Sequence, residues 1–260
     1  MLILLMGTSL SAEIRMWTDV DGSRFPGTFE KELFGDVLVR GKDGQKYFIP
    51  VEKLSPADLR YVQLNAVPEM DLTVRSRTRL LPKVAWSREN DNTTLYTFSV
   101  KIQKKGALPY KGELTAELFI IADERAKEYD DDHVLMSYTK TPFVFPEGKD
   151  GVYEYSVGEI SFNAYHADWV ETEKGADRGK SYLGYILTVS DSKGRVVAHK
   201  TDITDLEWLT EDMSVTAREL RRLYTENRGS VEVRHFNDTF GQIPPPRVPW
   251  FKRTITWPRK

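Results

Sequence analysis

From residue 72 to about residue 209, apolar residues fall at every second position, and that period restricts the stretch to strands with one face turned inward. Tyr96, Phe98, Val100 and Ile102 alternate with Thr97, Ser99 and Lys101. Leu114, Ala116, Leu118 and Ile120 stand against Thr115, Glu117 and the apolar Phe119 and Ile121. Tyr153, Tyr155 and Val157 form a third set, and Leu183, Tyr185, Leu187 and Val189 a fourth. The fourth leads through Asp191-Ser192-Lys193-Gly194 into a strand over 195–200. With 84–88, 134–138 and 143–145 this makes about eight strands, enough for two packed antiparallel sheets. The expected fold is an immunoglobulin-like β-sandwich over 72–209, with 174–180 as a polar connector.

A denser pattern precedes it. Strands are expected over 14–19, 25–33, 37–40 and 45–51, with turns at Asp21-Gly22 and Asp43-Gly44 where glycine meets a positive-φ demand. Pro26-Gly27 inside the second strand predicts an edge position or a bulge. Leu54-Ser55-Pro56-Ala57-Asp58-Leu59 starts a helix: Ser55 as N-cap, Pro56 at N1, Asp58 completing a capping box, and Leu54 and Leu59 as hydrophobic staple. Leu59, Val62 and Leu64 are expected to dock on the sheet, with Tyr61 at its edge.

The order Arg15, Trp17, Thr18, Asp19 and Gly22, then Asp43, Gly44, Ile49, Pro50 and Val51, then Leu54, Ser55, Asp58, Tyr61 and Val62 resembles the Sla-one homology domain, type one, over 13–65. The resemblance implies an SH3-like β-barrel. It also implies a binding or structural module: the yeast endocytic adaptor uses its copy to hold Asn-Pro-Phe-containing peptides, and bacterial members occur in exported planctomycete-like proteins. Lys42, Gln45 and Lys46 lie beside the turn where a peptide groove would open, against the simpler reading of a solvated hairpin.

Composition narrows the chemistry. The 260 residues include no cysteine, which removes disulfides, thiolate zinc sites and cysteine nucleophiles. A net charge of −2 gives no whole-chain case for nucleic acid. Residues 1–12 are apolar and end in small residues, suiting a secretory signal and a secreted or periplasmic protein, and no later segment is apolar enough to span a membrane.

At 210–260, Thr216-Ala217-Arg218-Glu219 reads as a second capping box, with Leu220, Leu223 and Tyr224 on one helical face and Gly229 as the stop. Strands are expected over 230–236 and 251–257. Between them Pro245, Pro246, Pro249 and Trp250 form a basic, proline-rich arm that docks on the protein's own surface, binds a partner through polyproline II, or touches nucleic acid, the last set aside by export.

Catalytic and metal motifs are sparse. Asp19-Val20-Asp21 with Glu30 is a poor calcium loop, since Arg24 stands where the loop needs glycine. Asp130-Asp131-Asp132-His133 reads as a charged loop tip, and His166 with Asp168 lacks a third partner. His199 and His235 lack metal-ligand spacing. The sequence therefore predicts no cofactor and an exported, non-enzymatic binding or structural protein with a protein, peptide or glycan partner; the alternative is a carbohydrate-active or other hydrolase with its site on the sandwich.

Overall fold

The computed structural model describes residues 14–33, 35–81, 92–106, 108–124, 133–147, 151–167, 176–204, 209 and 212–244. The fold is mainly β, a small four-stranded sheet and a larger sandwich-like sheet with two α-helices. The chain divides into two compact units. The first takes Met1–Asp71 together with Ile102–Glu113 and Val144–Tyr153, so it is drawn from three segments rather than one.

In the first unit, β1 (Ile14–Thr18), β2 (Arg24–Leu33), β3 (Asp36–Gly41) and β4 (Lys46–Pro50) pair antiparallel in that order. Helix α1 (Pro56–Asn65) follows a single 3-10 turn. Trp17, Val37, Val39, Leu54 and Val62 form the core, with Phe25, Phe29, Leu59 and Tyr61 packed against it. Leu64 is 45% exposed, so it does not dock as expected. The Asp19–Leu54 bridge and the Ser55 N–H donated to Thr18 O (2.9 Å) fasten the helix entry to the end of β1.

Two local expectations change. Strand β2 lies between β1 and β3, and its one register shift falls between Phe29 and Lys31, so Pro26-Gly27 marks neither an edge nor a bulge. Pro26 faces Met16, while the β3 ladder begins only at Gly27 opposite Gly41, so the proline's missing N–H costs no β3 bond. Glycine is needed at 27 for space: a Cβ there would sit 2.4 Å from Val39 Cγ1 and 3.0 Å from the Arg40 carbonyl oxygen. At the helix start, Ser55 Oγ accepts from Asp58 N–H (3.2 Å), but the reciprocal half of the box is absent because Ser55 N–H is already given to Thr18.

The larger sheet, most of it in the second unit, contains β5 (Met70–Leu80), β6 (Asn92–Lys104), β7 (Leu114–Glu124), β8 (His133–Phe143), β9 (Val152–Ala167), β10 (Ala176–Asp191), β11 (Val196–Thr201), β12 (His235–Phe236) and β13 (Gln242–Ile243). Their order is β13-β12-β8-β7-β10-β9-β6-β5, with β11 beside β10. Strand β10 starts against β9 through Ala176–Gly179 and from Lys180 onward pairs with β7, so it links the two halves of the sheet. Tyr96, Phe98, Phe162 and Tyr182, from β6, β9 and β10, form one aromatic cluster with centroids 4.9–6.0 Å apart.

Strand β7 is buried almost throughout because its second face is covered as well. Helix α2 (Met213–Glu226) sets Met213, Ala217, Leu220 and Leu223 against Phe119, Ile121, Leu135 and Ile186. This cover accounts for apolar Phe119 and Ile121 at positions that an ordinary two-sheet sandwich would leave wet. The N-cap of α2 is Asp212, whose Oδ1 accepts from Ser214 N–H (2.9 Å), and Thr216 lies buried inside the helix; the capping box at 216–219 is therefore not the start. The helix closes at Asn227, ahead of Gly229.

Other boundaries shift for similar reasons. Phe143 ends β8 and opens no strand of its own, the expected connector 174–180 is strand from Ala176, and 230–236 becomes a 3-10 turn (Val231–Val233) followed by β12. Strand β5 carries its repeat in arginines and not in apolar residues, so hydrophobic periodicity does not reveal it. The strands expected at 84–88 and 251–257 lie outside the described residues.

Candidate binding groove

The repeat that makes β5, β6 and β9 also sorts their side chains. Leu72, Phe98, Val100, Ile102 and Val157 are buried, which turns Thr73 and Arg75 of β5, Ser99 and Lys101 of β6, and Glu154 and Ser156 of β9 to the opposite face. Those six residues line one open groove of about 320 Å³. Farther along β5, Arg77 and Arg79 continue the row, and all three arginines are exposed. Arg79 donates to Glu159 Oε1 (2.9 Å). Among the described residues, Arg75, Arg77 and Lys101 have no ion-pair partner. The groove thus offers the hydroxyls of Thr73, Ser99 and Ser156, the cations Arg75 and Lys101 and the carboxylate Glu154, with Val100 and Tyr155 completing its lining.

The buried titratable groups elsewhere are spent on packing. Glu117 of β7 is 2% exposed; Oε1 accepts from Tyr138 OH (2.5 Å) and Arg221 Nε (2.9 Å), and Oε2 accepts from Arg221 Nη2 (2.5 Å). Burial opposes the charge on Glu117, but the hydrogen bonds from Arg221 and Tyr138 outweigh it and hold the carboxyl below the usual range. Burial, then the neighbouring Glu117, pushes the Tyr138 phenol up. Burial followed by Asp202, whose Oδ2 accepts from Tyr182 OH at 2.9 Å, does the same to Tyr182. None of these groups exchanges a proton near neutrality.

His235 is fully buried, with Nε2 3.2 Å from Glu124 Oε2, and Lys180 Nζ lies 3.7 Å from the same oxygen. His133 Nε2 is 3.2 Å from Asp238 Oδ1. Among the described residues no three His, Asp or Glu side chains group to hold a metal ion. Asp19 Oδ1 accepts from the N–H groups of Asp21 (2.9 Å) and Ser23 (2.8 Å), so the supposed calcium ligand closes a turn.

Lys42, Gln45 and Lys46 share the β3–β4 hairpin, and all three are exposed. The hairpin is closed by Gly41 N–H to Gln45 O (2.8 Å), by Asp43 Oδ1 accepting from Gln45 N–H (3.0 Å) and by Gly44 at φ 79°. Tyr47 and Phe48, 39% and 59% exposed, follow directly. His166 faces Asp177 in the β9–β10 register. Pro245, Pro246, Pro249, Trp250, Asp168 and 130–132 lie outside the described residues. The groove residues themselves escaped sequence reasoning, although Arg75-x-Arg77-x-Arg79 is a period-two signal in charge.

No family model and no curated protein matches the chain. Among solved structures, a protein from Akkermansia muciniphila is 14% identical, with 54% of this chain and 75% of that one covered, at a TM-score of 0.23. A Northeast Structural Genomics Consortium target is 11% identical, with 51% and 86% covered, at a TM-score of 0.19. Scores this low assign neither fold nor function.

Among the described residues no helix is long and apolar enough to cross a membrane.

Proposed function

We propose that this is a non-enzymatic recognition protein, acting outside the cytoplasm, that holds an extended polar ligand on the outer face of β5, β6 and β9. The observation that carries this reading is the groove: it is open, lined by hydroxyls and cations, and contains a single carboxylate, Glu154. Such a lining can exchange hydrogen bonds with a polar polymer, whereas bond cleavage by acid–base chemistry calls for paired groups. The apolar run at 1–12, ending in small residues, accords with export. The first unit serves in this reading as an SH3-like accessory module. The residues that carry its family resemblance act inside it: Trp17 and Val62 in the core, Arg15 with Asp58 across the helix, and Asp19, Asp43 and Gly44 in turns.

The test is binding of the full chain to glycan and peptide arrays, beside the variant Ser156→Trp, which fills the groove. Retention of a ligand that is recovered intact, and its loss in the variant, is the expected result. Turnover of a glycan or peptide by the purified chain, abolished by Glu154→Gln, would replace this reading with the hydrolase.

A further inference from the structure

We infer that the ligand of this groove is an acidic polysaccharide, read by the row of Arg75, Arg77 and Lys101; the inference rests on the binding role assigned above. Three observations combine. The first is uncompensated charge: among the described residues the three cations have no ion pair, while the neighbouring Arg79 is neutralised by Glu159. The chain as a whole carries −2, so this basic row is local and not a sample of a basic surface. The second is geometry. Arg75 and Arg77 are two residues apart on one strand, which spaces their stems by roughly 7 Å, and Lys101 adds a third cation from the next strand. A polymer with acidic groups at intervals meets such a row repeatedly. The third is the groove's place. Its lining comes from three strands, so it lies on the face of the sheet and not along its edge.

That place selects sugar over peptide. A peptide bound by strand addition needs the edge of β5, parallel to the strand, where backbone groups form a ladder. A chain lying on the face gains no ladder and must be held by side chains. Thr73, Ser99, Ser156 and Glu154 provide alternating donors and acceptors of the kind that sugar hydroxyls satisfy, while the arginines and lysine take the acidic groups. Charged residues on an edge strand also guard against edge-to-edge association. That role accepts charge of either sign, and this separates it from recognition.

The experiment uses the full chain and four probes: polygalacturonate, dextran sulfate, neutral dextran and poly-glutamate, with affinity followed against ionic strength. Polygalacturonate and dextran sulfate are expected to bind, weakening as salt rises, and neutral dextran is expected not to. Arg75→Gln/Arg77→Gln is expected to lower affinity for polygalacturonate by about tenfold or more with unchanged melting temperature, as two charge-assisted contacts are lost. The control Arg60→Gln/Arg228→Gln, which changes net charge equally on exposed positions of other elements, is expected to leave it unaltered. Arg75→Glu/Arg77→Glu should abolish binding yet keep the protein monodisperse. The inference falls if the two glutamine double variants lose affinity equally, or if poly-glutamate binds as tightly as polygalacturonate, which would make the partner an acidic peptide. Binding of neutral dextran that Ser156→Trp removes would overturn the polyanion alone and leave the recognition role standing.

Discussion

In the first unit the buried carboxylate, Asp58, belongs to helix α1 and its arginine, Arg15, to strand β1; in the second, Glu117 belongs to strand β7 and Arg221 to helix α2. Both pairs join a helix to a sheet, with the roles exchanged. Asp58 sits at the helix N-terminus, where unsatisfied N–H groups favour negative charge, and it takes Arg15, Thr18 N–H (2.8 Å) and Ser55 OH (2.8 Å) at once. The Arg15 guanidinium then lies 3.8 Å from the ring centre of Tyr61. Glu117 has no helix end to help it, and it is held by a forked arginine and a phenol. The comparison teaches that one chemistry serves two topologies, provided every lone pair drawn from water finds a donor. Arg234 shows the opposite case: 7% exposed and 5.0 Å over the Tyr224 ring, it has, like Arg15, a buried Nε without a hydrogen-bond partner among the described residues, and desolvation lowers its pKa.

Four measurements test whether the two pairs act as separate locks. Asp58→Ala should have the largest effect, about 4 kcal/mol, because it strands a charge and a backbone N–H in a small unit. Amide exchange should then show β1–β4 losing protection together; full protection would mean that the pair does not fasten the helix.

Arg221→Ala should cost less, about 3 kcal/mol, since Tyr138 still donates to the abandoned Glu117. The loss should appear in the amides of α2 while β1–β4 are untouched. Equal loss in both units would contradict two separate locks.

The third measurement concerns acid. The folded pKa of Glu117 lies below its unfolded value of about 4.3, so its stabilisation is complete above that pH and is lost as pH falls through the folded value. Thermal unfolding of the second unit below about pH 4 should therefore steepen in the native chain and flatten in Glu117→Gln. Identical acid profiles would remove Glu117 from the account.

Arg234→Met should have the smallest effect, between zero and about 1 kcal/mol of added stability, because an apolar isostere replaces a charge that had lost its water without gaining an anion among the described residues. A fall in the urea midpoint would reveal that the cation has an unrecognised role.

How far sequence reasoning reached can be read from particular residues. Ser55-Pro56 started α1 where expected, and Asp43-Gly44 closed the expected hairpin, because caps and turns are decided within a few residues. Phe119 and Ile121 carried a visible sign that β7 was covered on both faces, but not the identity of the cover. Thr216 imitated a cap; Asp212 won because the helix extends toward its sheet contacts at Met213. Lys42, Gln45 and Lys46 share the β3–β4 hairpin that the Asp43-Gly44 turn predicts. The groove on β5, β6 and β9 was not legible, since it assembles Arg75, Lys101 and Glu154 from three distant strands.

By itself, then, the amino-acid order determined what short-range forces control: the two-residue period of β6, β7 and β10, the glycine turns, and the proline-capped start of α1. Tertiary structure alone decided which polar groups would stop being solvated. Glu117 meets Arg221 across 104 positions of chain, and the groove gathers Arg75, Lys101 and Glu154 from three strands. The physical reason is that a carboxylate's partners depend on where water is excluded, and that boundary is drawn only when distant surfaces come together.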